Sequence, residues 1–507
     1  MGSRPMSAPV YAVHAACIRG VEAVPVTVEV SMGGGLPSIS IVGMADSTVL
    51  EARSRMRCAL RSVGFEVPKK SITINLAPSD MRKSGTGLDL PIAVAVLALS
   101  GQIPVNDLDS CLFVGELALD GSVCPVKGEI AYQVLARDTH LTLIEGPSSP
   151  HQGLFEAARF ELDNIARLRM GVRDAIHRCD LEPDRPPLET KLDYADVVGQ
   201  EVAKRGLAIA AAGDLGLLMI GAPGSGKTML ARRMTTILPK LTQEDQQEAL
   251  CIHSVAGEDI SGLLAGDRPF RSPHHSISAA GLVGGGRPVR PGEISLAHGG
   301  CLFLDELAEF PSGVLQMLRQ PLEEGVVRIV RADGMYIFPS RFQLIAASNP
   351  CPCGYLGDRE VACTCSATAI ERYRSKLAGP LIDRIDIVLD VCRPDPSLII
   401  EGAEGMDSEG LSAMVATGRA FALERRNDTE PASTSSRTSL DRAIAAFHLD
   451  RDAEDALAGL SQCNKLTGRG IKRLCRIART VADIDESACV RRPHVLEASM
   501  FQGRRNA

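Results

Sequence analysis

Apolar and polar residues follow two different periods along this chain, and each period predicts one kind of element. In the first third, β-branched residues alternate or cluster at residues 26–30, 38–42 and 71–75, which predicts three strands. Residues 46–63 repeat their apolar positions at helical spacing, and residues 88–99 are almost entirely apolar, so we expect one amphipathic and one buried helix. Strands and helices mixed in this way predict an α+β domain.

The middle of the chain contains short apolar runs that end in polar residues. Residues 217–220, 301–304 and 342–347 are three such runs, and they are typical of buried parallel strands. Helical spacing precedes the first run at about residues 201–212 and follows it at residues 229–238. This part of the chain therefore predicts a parallel sheet with helices packed on it.

Helical periodicity returns near the carboxyl end, at residues 440–460 and 471–484, which predicts a small all-α domain. Two breaks in the pattern separate the domains. The first is the proline-rich, charged segment at residues 181–188. The second is residues 394–439, where the pattern weakens and ends in low-complexity sequence rich in Ser and Thr. We expect the second break to be a mobile connector.

A phosphate-binding loop follows the first apolar run. Residues 221–228 fit the pattern G-x-x-x-x-G-K-[ST] between a predicted strand and a predicted helix. Glycines let backbone N–H groups face phosphate oxygens, while Lys227 would reach the β- and γ-phosphates and Thr228 would bind Mg²⁺. The alternative is a glycine-rich turn with a chance Lys-Thr pair. The predicted ATP-binding residues are Gly221, Ala222, Pro223, Gly224, Ser225, Gly226, Lys227 and Thr228.

Two carboxylates, Asp305 and Glu306, end the second apolar run. A buried strand that ends in Asp can hold the coordination shell of Mg²⁺, while the adjacent Glu polarises the attacking water. Acidic residues also follow apolar strands without any catalytic role, but a phosphate-binding loop upstream favours hydrolysis. The sequence therefore predicts that Asp305 shares Mg²⁺ with Thr228 and that Glu306 activates water.

Composition limits the classes of function. The chain has 55 Lys and Arg against 62 Asp and Glu, a net charge of −7, so a surface for nucleic acid must be local. It has no Trp and only 4% aromatic residues, which leaves few side chains for base stacking. The longest apolar run is too short for a bilayer and the amino terminus lacks a signal-peptide core, so we expect a cytoplasmic protein without membrane contact.

Four of the fifteen cysteines lie close together, at Cys351, Cys353, Cys363 and Cys365. Four thiolates on one short polar loop can hold a tetrahedral zinc ion that fixes a loop too polar to bury itself. The C-x-C spacing is tighter than the common C-x₂₋₄-C knuckle, so a redox-sensitive or merely reduced thiol cluster is the alternative. We favour structural Zn²⁺.

Several motifs together resemble one family. RSPHHSIS at residues 271–278, GLVGGG at 281–286, PGEISLAH at 291–298 and NPCPCG at 349–354 resemble the ComM/YifB family of Mg-chelatase-like AAA+ ATPases. The resemblance implies a multidomain α/β protein: an α+β Lon-protease-like domain of the ribosomal S5 type, an AAA+ three-layer α/β/α core with a parallel sheet, and a small all-α lid. The expected boundaries are 1–180 for the Lon-like domain, 181–192 for a linker, 193–395 for the AAA+ core with the cysteine insertion at 351–365, 396–439 for a flexible connector and 440–507 for the lid.

The amino-terminal domain lacks the Ser/Lys pair that Lon-type proteases use. Gly87 stands at the place of the nucleophile and Ile130 at the place of the base lysine. Nucleophilic catalysis needs an activated hydroxyl beside its base, so we expect this domain to be non-proteolytic.

The resemblance also implies three further catalytic residues. Asn349 matches sensor 1, which contacts the γ-phosphate or its water. Arg384 matches the arginine finger that acts on a neighbouring subunit's nucleotide, with a local ion pair as the alternative. Arg469 matches the sensor 2 arginine. The alternatives are Asp383 or Asp386 as the ion-pair partner of Arg384, and Arg473 or Arg476 as sensor 2.

A glycine-rich segment at residues 268–300 resembles the helix-2 insertion, which projects towards the channel of ring ATPases. Its arginines would contact the phosphates of a threaded strand, unless the segment is only a solvated loop. His274 and His275 have no acidic or cysteine partner spaced nearby in the sequence, which argues against a metal site there. The arginines are Arg268, Arg271, Arg287 and Arg290.

The resemblance implies a homo-oligomeric ring, a hexamer, that hydrolyses ATP between subunits and moves single-stranded or branched DNA. We therefore expect a DNA helicase or translocase that promotes branch migration in homologous recombination, including integration of transforming DNA. Two other functions remain open at this stage. One is a metal-insertion motor like Mg-chelatase, which needs a porphyrin-binding partner, and the other is a protein-remodelling ATPase, which the missing protease pair disfavours.

Overall fold

The chain folds into an amino-terminal unit with a mixed sheet, a central unit with a parallel sheet and a carboxyl-terminal helical unit. The structure is a computed structural model. It describes residues 9–147, 158–178, 192–358, 360–377, 381–393, 405–428 and 447–502. The linker predicted at residues 181–188 lies outside these ranges.

The amino-terminal unit contains two β-sheets. The strands are β1 (Val10–Arg19), β2 (Glu22–Gly33), β3 (Ser38–Val42), β4 (Ser71–Ala77), β5 (Cys111–Phe113), β6 (Glu116–Leu117), β7 (Val123–Cys124), β8 (Thr142–Glu145) and β9 (Arg159–Glu161). The helices are α1 (Ser47–Ser62), α2 (Asp89–Leu99), α3 (Glu129–Thr139) and α4 (Val172–Ala175). The main sheet has the order β3-β4-β2-β1-β5-β8-β9, and β6 pairs with β7. The strands and helices predicted for this third of the chain are thus confirmed.

Local chemistry explains the two helices that cover this sheet. α1 begins after Asp46, whose carboxylate accepts the backbone N–H of Val49 at 2.9 Å and so caps the helix. α2 is buried along almost its whole length, and its single acidic residue, Asp89, is buried with it. Arg55 of α1 donates from Nη2 to Asp89 at 2.9 Å, which compensates the buried charge.

The central unit holds the parallel sheet. Its strands are β10 (Leu217–Ile220), β11 (Phe270–Arg271), β12 (Gly284–Gly285), β13 (Arg290–Pro291), β14 (Cys301–Leu304), β15 (Val326–Arg331), β16 (Gly334–Pro339), β17 (Gln343–Ser348) and β18 (Ile387–Asp390). Its helices are α5 (Glu201–Gly213), α6 (Lys227–Arg232), α7 (Met234–Ile237), α8 (Gln243–Ala256), α9 (Ser261–Leu264), α10 (Ala279–Val283), α11 (Glu293–Leu296), α12 (Ser312–Met317), α13 (Arg319–Glu324) and α14 (Ala367–Leu377).

The strand order of the parallel sheet is β11-β14-β17-β10-β18. Each neighbouring pair is parallel, so the carboxyl ends of β10, β14 and β17 meet at one edge. All three apolar runs predicted as strands are present, and only β17 begins one residue later than expected. Two antiparallel ribbons, β12 with β13 and β15 with β16, lie outside this sheet.

The carboxyl-terminal unit is helical, as predicted, but it begins earlier in the chain. Its helices are α15 (Ser408–Asp428), α16 (Arg451–Cys463), α17 (Gly468–Ile484) and α18 (Arg492–Met500). The prediction of a flexible connector over 396–439 is therefore wrong for residues 408–428. Leu411 and Val415 of α15 are fully buried in the core that α15 shares with α5 and α17. None of the described helices is long and apolar enough to cross a membrane.

The amino-terminal unit packs directly on the central unit. Ile130 and Ala131 of α3 belong to the same apolar cluster as Leu250 of α8. Lys127, just before α3, donates from Nζ to the carbonyl of Ala256 at the end of α8, at 3.2 Å. A positive charge at the carboxyl end of a helix is favourable, so this contact is both apolar and electrostatic.

A substitution at Gly300 tests the close approach of β11 to β14. A Cβ at residue 300 would lie 1.9 Å from the carbonyl oxygen of Pro269, and that oxygen accepts the N–H of Cys301 at 2.9 Å. We expect Gly300→Ala to lower the free energy of unfolding by about 2–4 kcal/mol, because the strand pairing must shift. The measurement is the midpoint of urea unfolding. Gly313→Ala is the control, since its Cβ would meet nothing within 4 Å, and equal midpoints for the two variants would contradict the contact.

Candidate functional site

The predicted phosphate-binding loop connects β10 to α6. Gly224 and Gly226 have φ of 78° and 91°, a left-handed backbone that favours glycine, and a Cβ at either position would point into open space. Gly221 is required for a different reason, since its Cβ would lie 2.2 Å from the carbonyl oxygen of Val391 after β18. The loop is thus a concave backbone surface that leaves room for an anion at the amino end of α6.

The loop lysine contacts both the loop backbone and the sensor 1 candidate. Lys227 is buried and donates from Nζ to the carbonyls of Gly221 and Ala222 at 2.7 and 3.0 Å, and to Oδ1 of Asn349 at 3.3 Å. Burial lowers the pKa of Lys227, while the charges of the neighbouring acidic pair oppose that shift. The structure therefore places the sensor 1 candidate in contact with the loop lysine.

The residues predicted to share Mg²⁺ are in contact. Oγ1 of Thr228 donates to Oδ2 of Asp305 at 2.9 Å. A hydroxyl and a carboxylate are the oxygen donors that Mg²⁺ prefers, so this pair fits the metal. The hydroxyl of Ser225 in the loop is buried and has no hydrogen-bond partner among the described residues, which fits a loop shaped for a polar ligand.

The predicted general base contacts a residue that sequence reasoning did not connect with it. Glu306 has a positive φ of 52°, and its carboxylate lies 3.4 Å from Nδ1 of His275. His275 follows β11, and only the strand order brings β11 beside β14, so no local pattern signals this contact. An imidazole thus lies within ion-pair distance of the carboxylate expected to polarise water.

Arg384 lies at the opposite edge of the sheet from the phosphate-binding loop. Its carbonyl is 2.9 Å from the Cβ position of Gly216, which precedes β10, whereas the loop follows β10. At about 3.3 Å per residue, the five residues from Gly216 to Gly221 span about 16 Å. The guanidinium is paired with Glu323 of α13, a contact not foreseen from the sequence. The structure does not bring Arg384 to its own chain's loop.

The lid arginines lie on α17. Arg469 is exposed in the first turn, and Arg476 is paired with Asp386 at 2.9 Å, directly before β18. Asp386 therefore forms its ion pair with Arg476, and the alternative in which Asp386 pairs with Arg384 is wrong. Burial raises the pKa of Asp386, and Arg476 opposes that shift. This helix thus reaches the same edge of the sheet as Arg384.

The four clustered cysteines approach each other as a zinc site requires. Sγ of Cys351 lies 3.3 Å from Sγ of Cys353 and 3.7 Å from Sγ of Cys363, and all four sulfur atoms lie within 4.8 Å of one another. Zn–S bonds of about 2.3 Å put the sulfurs of a tetrahedron about 3.8 Å apart. Backbone N–H groups of Tyr355 and Thr364 lower the pKa of the Cys353 thiol to about 6, which favours a thiolate at that position, whereas the pKa values of the neighbouring Cys363 and Cys365 thiols are raised.

Two of the four arginines predicted to contact phosphates hold the fold together instead. Arg268 donates to the carbonyls of Pro239 and Gly299. Arg271 makes a bidentate pair with Glu293, at 2.7 and 2.8 Å. The prediction that they contact phosphates is therefore wrong.

The other two, Arg287 and Arg290, lie in and beside the β12–β13 ribbon and are exposed. Arg331 at the end of β15 is exposed as well, and its Nη2 lies 3.2 Å from the Cβ position of Gly285 in β12. The β15–β16 hairpin, which sequence reasoning missed, thus joins the insertion. We call Arg287, Arg290 and Arg331 the arginine surface.

The two positions that a Lon-type dyad would occupy serve other contacts. A Cβ at Gly87 would lie 3.3 Å from Cγ1 of Val114 and 3.5 Å from the hydroxyl of Tyr132. Ile130 is fully buried, and its N–H donates to Oγ of Ser254 in α8 at 3.3 Å. At the position of the base lysine, this chain therefore has Ile130, which packs in the interface between the amino-terminal and central units.

Known proteins match the chain over nearly its whole length. Residues 193–397 match the family described as magnesium chelatase, subunit ChlI, residues 28–146 match subunit ChlI of Mg-chelatase, and residues 405–502 match its ChlI C-terminal family. The uncharacterized protein YifB of Escherichia coli is 39% identical over 496 residues, which are 97% of this chain and 96% of the relative. The competence protein ComM of Haemophilus influenzae is 38% identical over 505 residues, 96% of each. A magnesium-chelatase 67 kDa subunit of Chlorobaculum parvum is 27% identical over 161 residues, 31% of this chain and 23% of the relative.

The fold and the site define an AAA+ P-loop ATPase. β17, which Asn349 directly follows, lies between β10, the strand that precedes the phosphate-binding loop, and β14, the strand that Asp305 and Glu306 follow. Within this class the matches are specific, and the chain belongs to the ComM/YifB family of Mg-chelatase-like AAA+ ATPases.

Proposed function

We propose that this chain is the subunit of a hexameric ring that hydrolyses ATP between neighbouring subunits and moves single-stranded or branched DNA through its channel. In the cell such a motor would act as a DNA helicase or translocase that promotes branch migration in homologous recombination, including integration of transforming DNA. The single observation that carries the DNA part is the arginine surface beside the ATPase sheet. The name of the Haemophilus influenzae relative, competence protein, supports a role with DNA.

In this proposal the residues at the loop divide the work of ATP hydrolysis. The loop backbone and Lys227 hold the phosphates, and Thr228 and Asp305 hold Mg²⁺. Mg²⁺, when bound, neutralises charge on the phosphate oxygens. Glu306 accepts the proton of the attacking water, and Asn349, which contacts Lys227, orients that water or the γ-phosphate.

The site is completed by a second subunit. The backbone of Arg384 lies beside Gly216, and from there β10 extends about 16 Å to the first residue of the phosphate-binding loop, too far for a side chain to span. Its edge of the sheet is exposed enough to meet another copy, since the side chains of Arg384 and Glu323 are 41% and 42% accessible. Arg384 and the lid residue Arg469 therefore act on the neighbour's nucleotide, where an arginine stabilises the charge of the transition state.

The arginine surface suits a nucleic-acid backbone better than it suits bases. Arg287, Arg290 and Arg331 are exposed, and none of the three forms an ion pair with an acidic residue in the described part of the chain. Guanidinium groups on two adjacent ribbons can follow successive phosphates without reading sequence. The absence of Trp and the low aromatic content agree with backbone contacts, because base stacking needs aromatic faces.

Two further assignments belong to this proposal. The four cysteines hold a structural Zn²⁺, which their spacing fits. The amino-terminal domain is non-proteolytic and braces the ATPase core instead, through the contact of α3 with α8 and through Arg19, whose guanidinium lies over the ring of Tyr336 in β16 at 5.8 Å.

The decisive experiment measures ATP hydrolysis with and without DNA. We expect single-stranded and forked DNA to stimulate the wild-type protein, and we expect Arg287→Ala with Arg290→Ala to lose at least about tenfold of that stimulation, because two phosphate contacts are removed. The salt dependence of DNA binding should become shallower in the same variant. Arg53→Ala with Arg57→Ala removes two exposed arginines from α1 and is the control.

Three outcomes separate the candidate functions. No DNA stimulation together with no branch migration at low salt would rule out a DNA motor. Stimulation only by a porphyrin-binding partner would indicate metal insertion, and stimulation only by unfolded protein would indicate remodelling. Equal losses in the control and the Arg287→Ala, Arg290→Ala protein would show that the arginine surface is not the DNA contact.

A further inference from the structure

We propose that the cysteine loop (residues 351–358 and 360–365) is a metal-dependent clasp on the phosphate-binding loop, so that zinc occupancy sets the affinity for ATP. The inference rests on the proposed function only in taking residues 221–228 as the ATP site. A purely structural zinc would stabilise its own loop and nothing else. The contacts of the cysteine loop extend further than that.

The first contact is steric and involves Gly354. Its Cβ position lies 2.7 Å from Cδ and 2.8 Å from Cγ of Pro223, so the backbone of the cysteine loop lies directly against the phosphate-binding loop. Gly354 also has a φ of +86°, which favours glycine at this turn. Any movement of this turn must therefore move Pro223 or leave a gap behind it.

The second contact runs through the chain itself. Cys351 is fully buried and stands two residues after Asn349, whose side chain accepts from Lys227 at 3.3 Å. A metal bond to Cys351 would thus restrict the backbone of Asn349, which is only two residues away in the chain. Asn349 in turn helps to hold the lysine of the phosphate-binding loop.

The third contact is Arg393, which joins the two loops. Nη2 of Arg393 donates to the carbonyl of Pro223 at 3.3 Å, and Nη1 donates to Glu360 of the cysteine loop, also at 3.3 Å. Asp358 lies 3.6 Å from Nε, and the guanidinium lies 5.7 Å from the centre of the Tyr355 ring. One planar cation therefore connects three residues of the cysteine loop to a backbone carbonyl of the ATP site.

The cysteine loop has little else to hold its shape. Cys353, Cys363 and Cys365 are partly exposed, and so is Leu356, while Val361 is 39% accessible. A loop without a buried apolar core keeps one conformation only if cross-links hold it, and a metal bound by four thiolates is such a cross-link. Without metal, the supports of Pro223 and Asn349 would loosen together.

The test compares zinc content with nucleotide affinity in the full-length protein. Elemental analysis gives zinc per chain, and titration with a fluorescent, slowly hydrolysed ATP analogue gives Kd. We expect about one zinc per wild-type chain, and we expect Cys363→Ser with Cys365→Ser to lose the zinc and bind the analogue at least about tenfold more weakly. Arg393→Ala should keep its zinc and bind the analogue about five- to tenfold more weakly, because the link is cut while the metal stays.

Two controls keep the result interpretable. Cys58→Ser with Cys463→Ser removes two exposed thiols that do not belong to the cluster and should match wild type in zinc and affinity. Removing zinc from wild type with a chelator and restoring it with ZnCl₂ should weaken and then recover affinity, which a misfolded variant would not do.

The inference is overturned by either of two results. One is wild-type protein without stoichiometric zinc, which would leave a plain thiol cluster. The other is an analogue Kd within twofold of wild type in the zinc-free protein or in Arg393→Ala. Neither result depends on DNA, so a motor that DNA fails to stimulate would refute the proposed function and leave the clasp standing.

Discussion

A Glu306→Gln variant binds ATP with near wild-type affinity but hydrolyses it about 100- to 1,000-fold more slowly, the range expected when a positioned general base is removed. The substitution keeps the shape of the side chain and removes its ability to accept a proton. Binding is expected to survive because the contacts of Lys227 and Thr228 with their partners do not involve Glu306. Single-turnover hydrolysis and analogue titration measure the two effects separately.

The control for this variant is Glu309→Gln. Glu309 is an exposed carboxylate three residues further along the same segment, so it matches the change in charge. Its backbone N–H donates to the carbonyl of Glu306, and the substitution leaves that backbone bond unchanged. We expect its rate to equal that of wild type. A Glu306→Gln protein that keeps more than a tenth of the wild-type rate would show that another group activates the water.

The second large effect is expected from Arg384→Ala. Arginine fingers accelerate phosphoryl transfer by about 10³- to 10⁵-fold, so we expect the assembled ring to lose at least about a thousandfold in rate. ATP affinity should change little, because Arg384 lies at the opposite edge of the sheet from the loop of its own chain. Steady-state hydrolysis at saturating ATP, together with sedimentation to confirm assembly, measures this.

Arg53→Ala is the control for Arg384→Ala, since Arg53 is an exposed arginine on α1. Glu323→Gln adds a second comparison, because it frees Arg384 from its partner within the subunit. If Arg384 acts across the interface, Glu323→Gln should retain activity while Arg384→Ala loses it. Equal losses in both would indicate that the pair only stabilises the fold.

Local sequence was sufficient for the phosphate-binding loop and for the acidic pair. β10, the loop and α6 are consecutive in the chain, and their glycines, lysine and apolar run each have a local physical reason. The run at 301–304 is buried on every residue, so the strand and the position of Asp305 at its end followed from hydrophobicity alone.

Contacts between distant segments could not be predicted in the same way. His275 faces Glu306 because β11 lies beside β14, and Arg384 pairs with Glu323 although 61 residues separate them in the chain. Both contacts join distant segments, and a single sequence carries no local signal for them. For the same reason Arg268 and Arg271 looked available for phosphates although they hold neighbouring segments together.

The wrong prediction of a flexible connector over residues 408–428 has a different cause. α15 lies between two weakly patterned stretches, and its apolar residues are mixed with Glu, Arg and Gly, so no clear helical stripe is visible in the sequence. Its helix is stabilised by packing on α5 and α17 rather than by its own pattern. Tertiary packing therefore determines this helix, and the periodicity of its sequence does not predict it.

The central claim is that two subunits share each ATP site, and mixing two inactive variants tests it most directly. Glu306→Gln lacks the base but carries the finger, whereas Arg384→Ala lacks the finger but carries the base. If the finger acts on the neighbour, random mixing in equal amounts should restore up to about a quarter of the wild-type rate, since one in four interfaces then combines both groups. If the finger acts within its own chain, the mixture should remain as inactive as either variant alone, and that result would contradict the account.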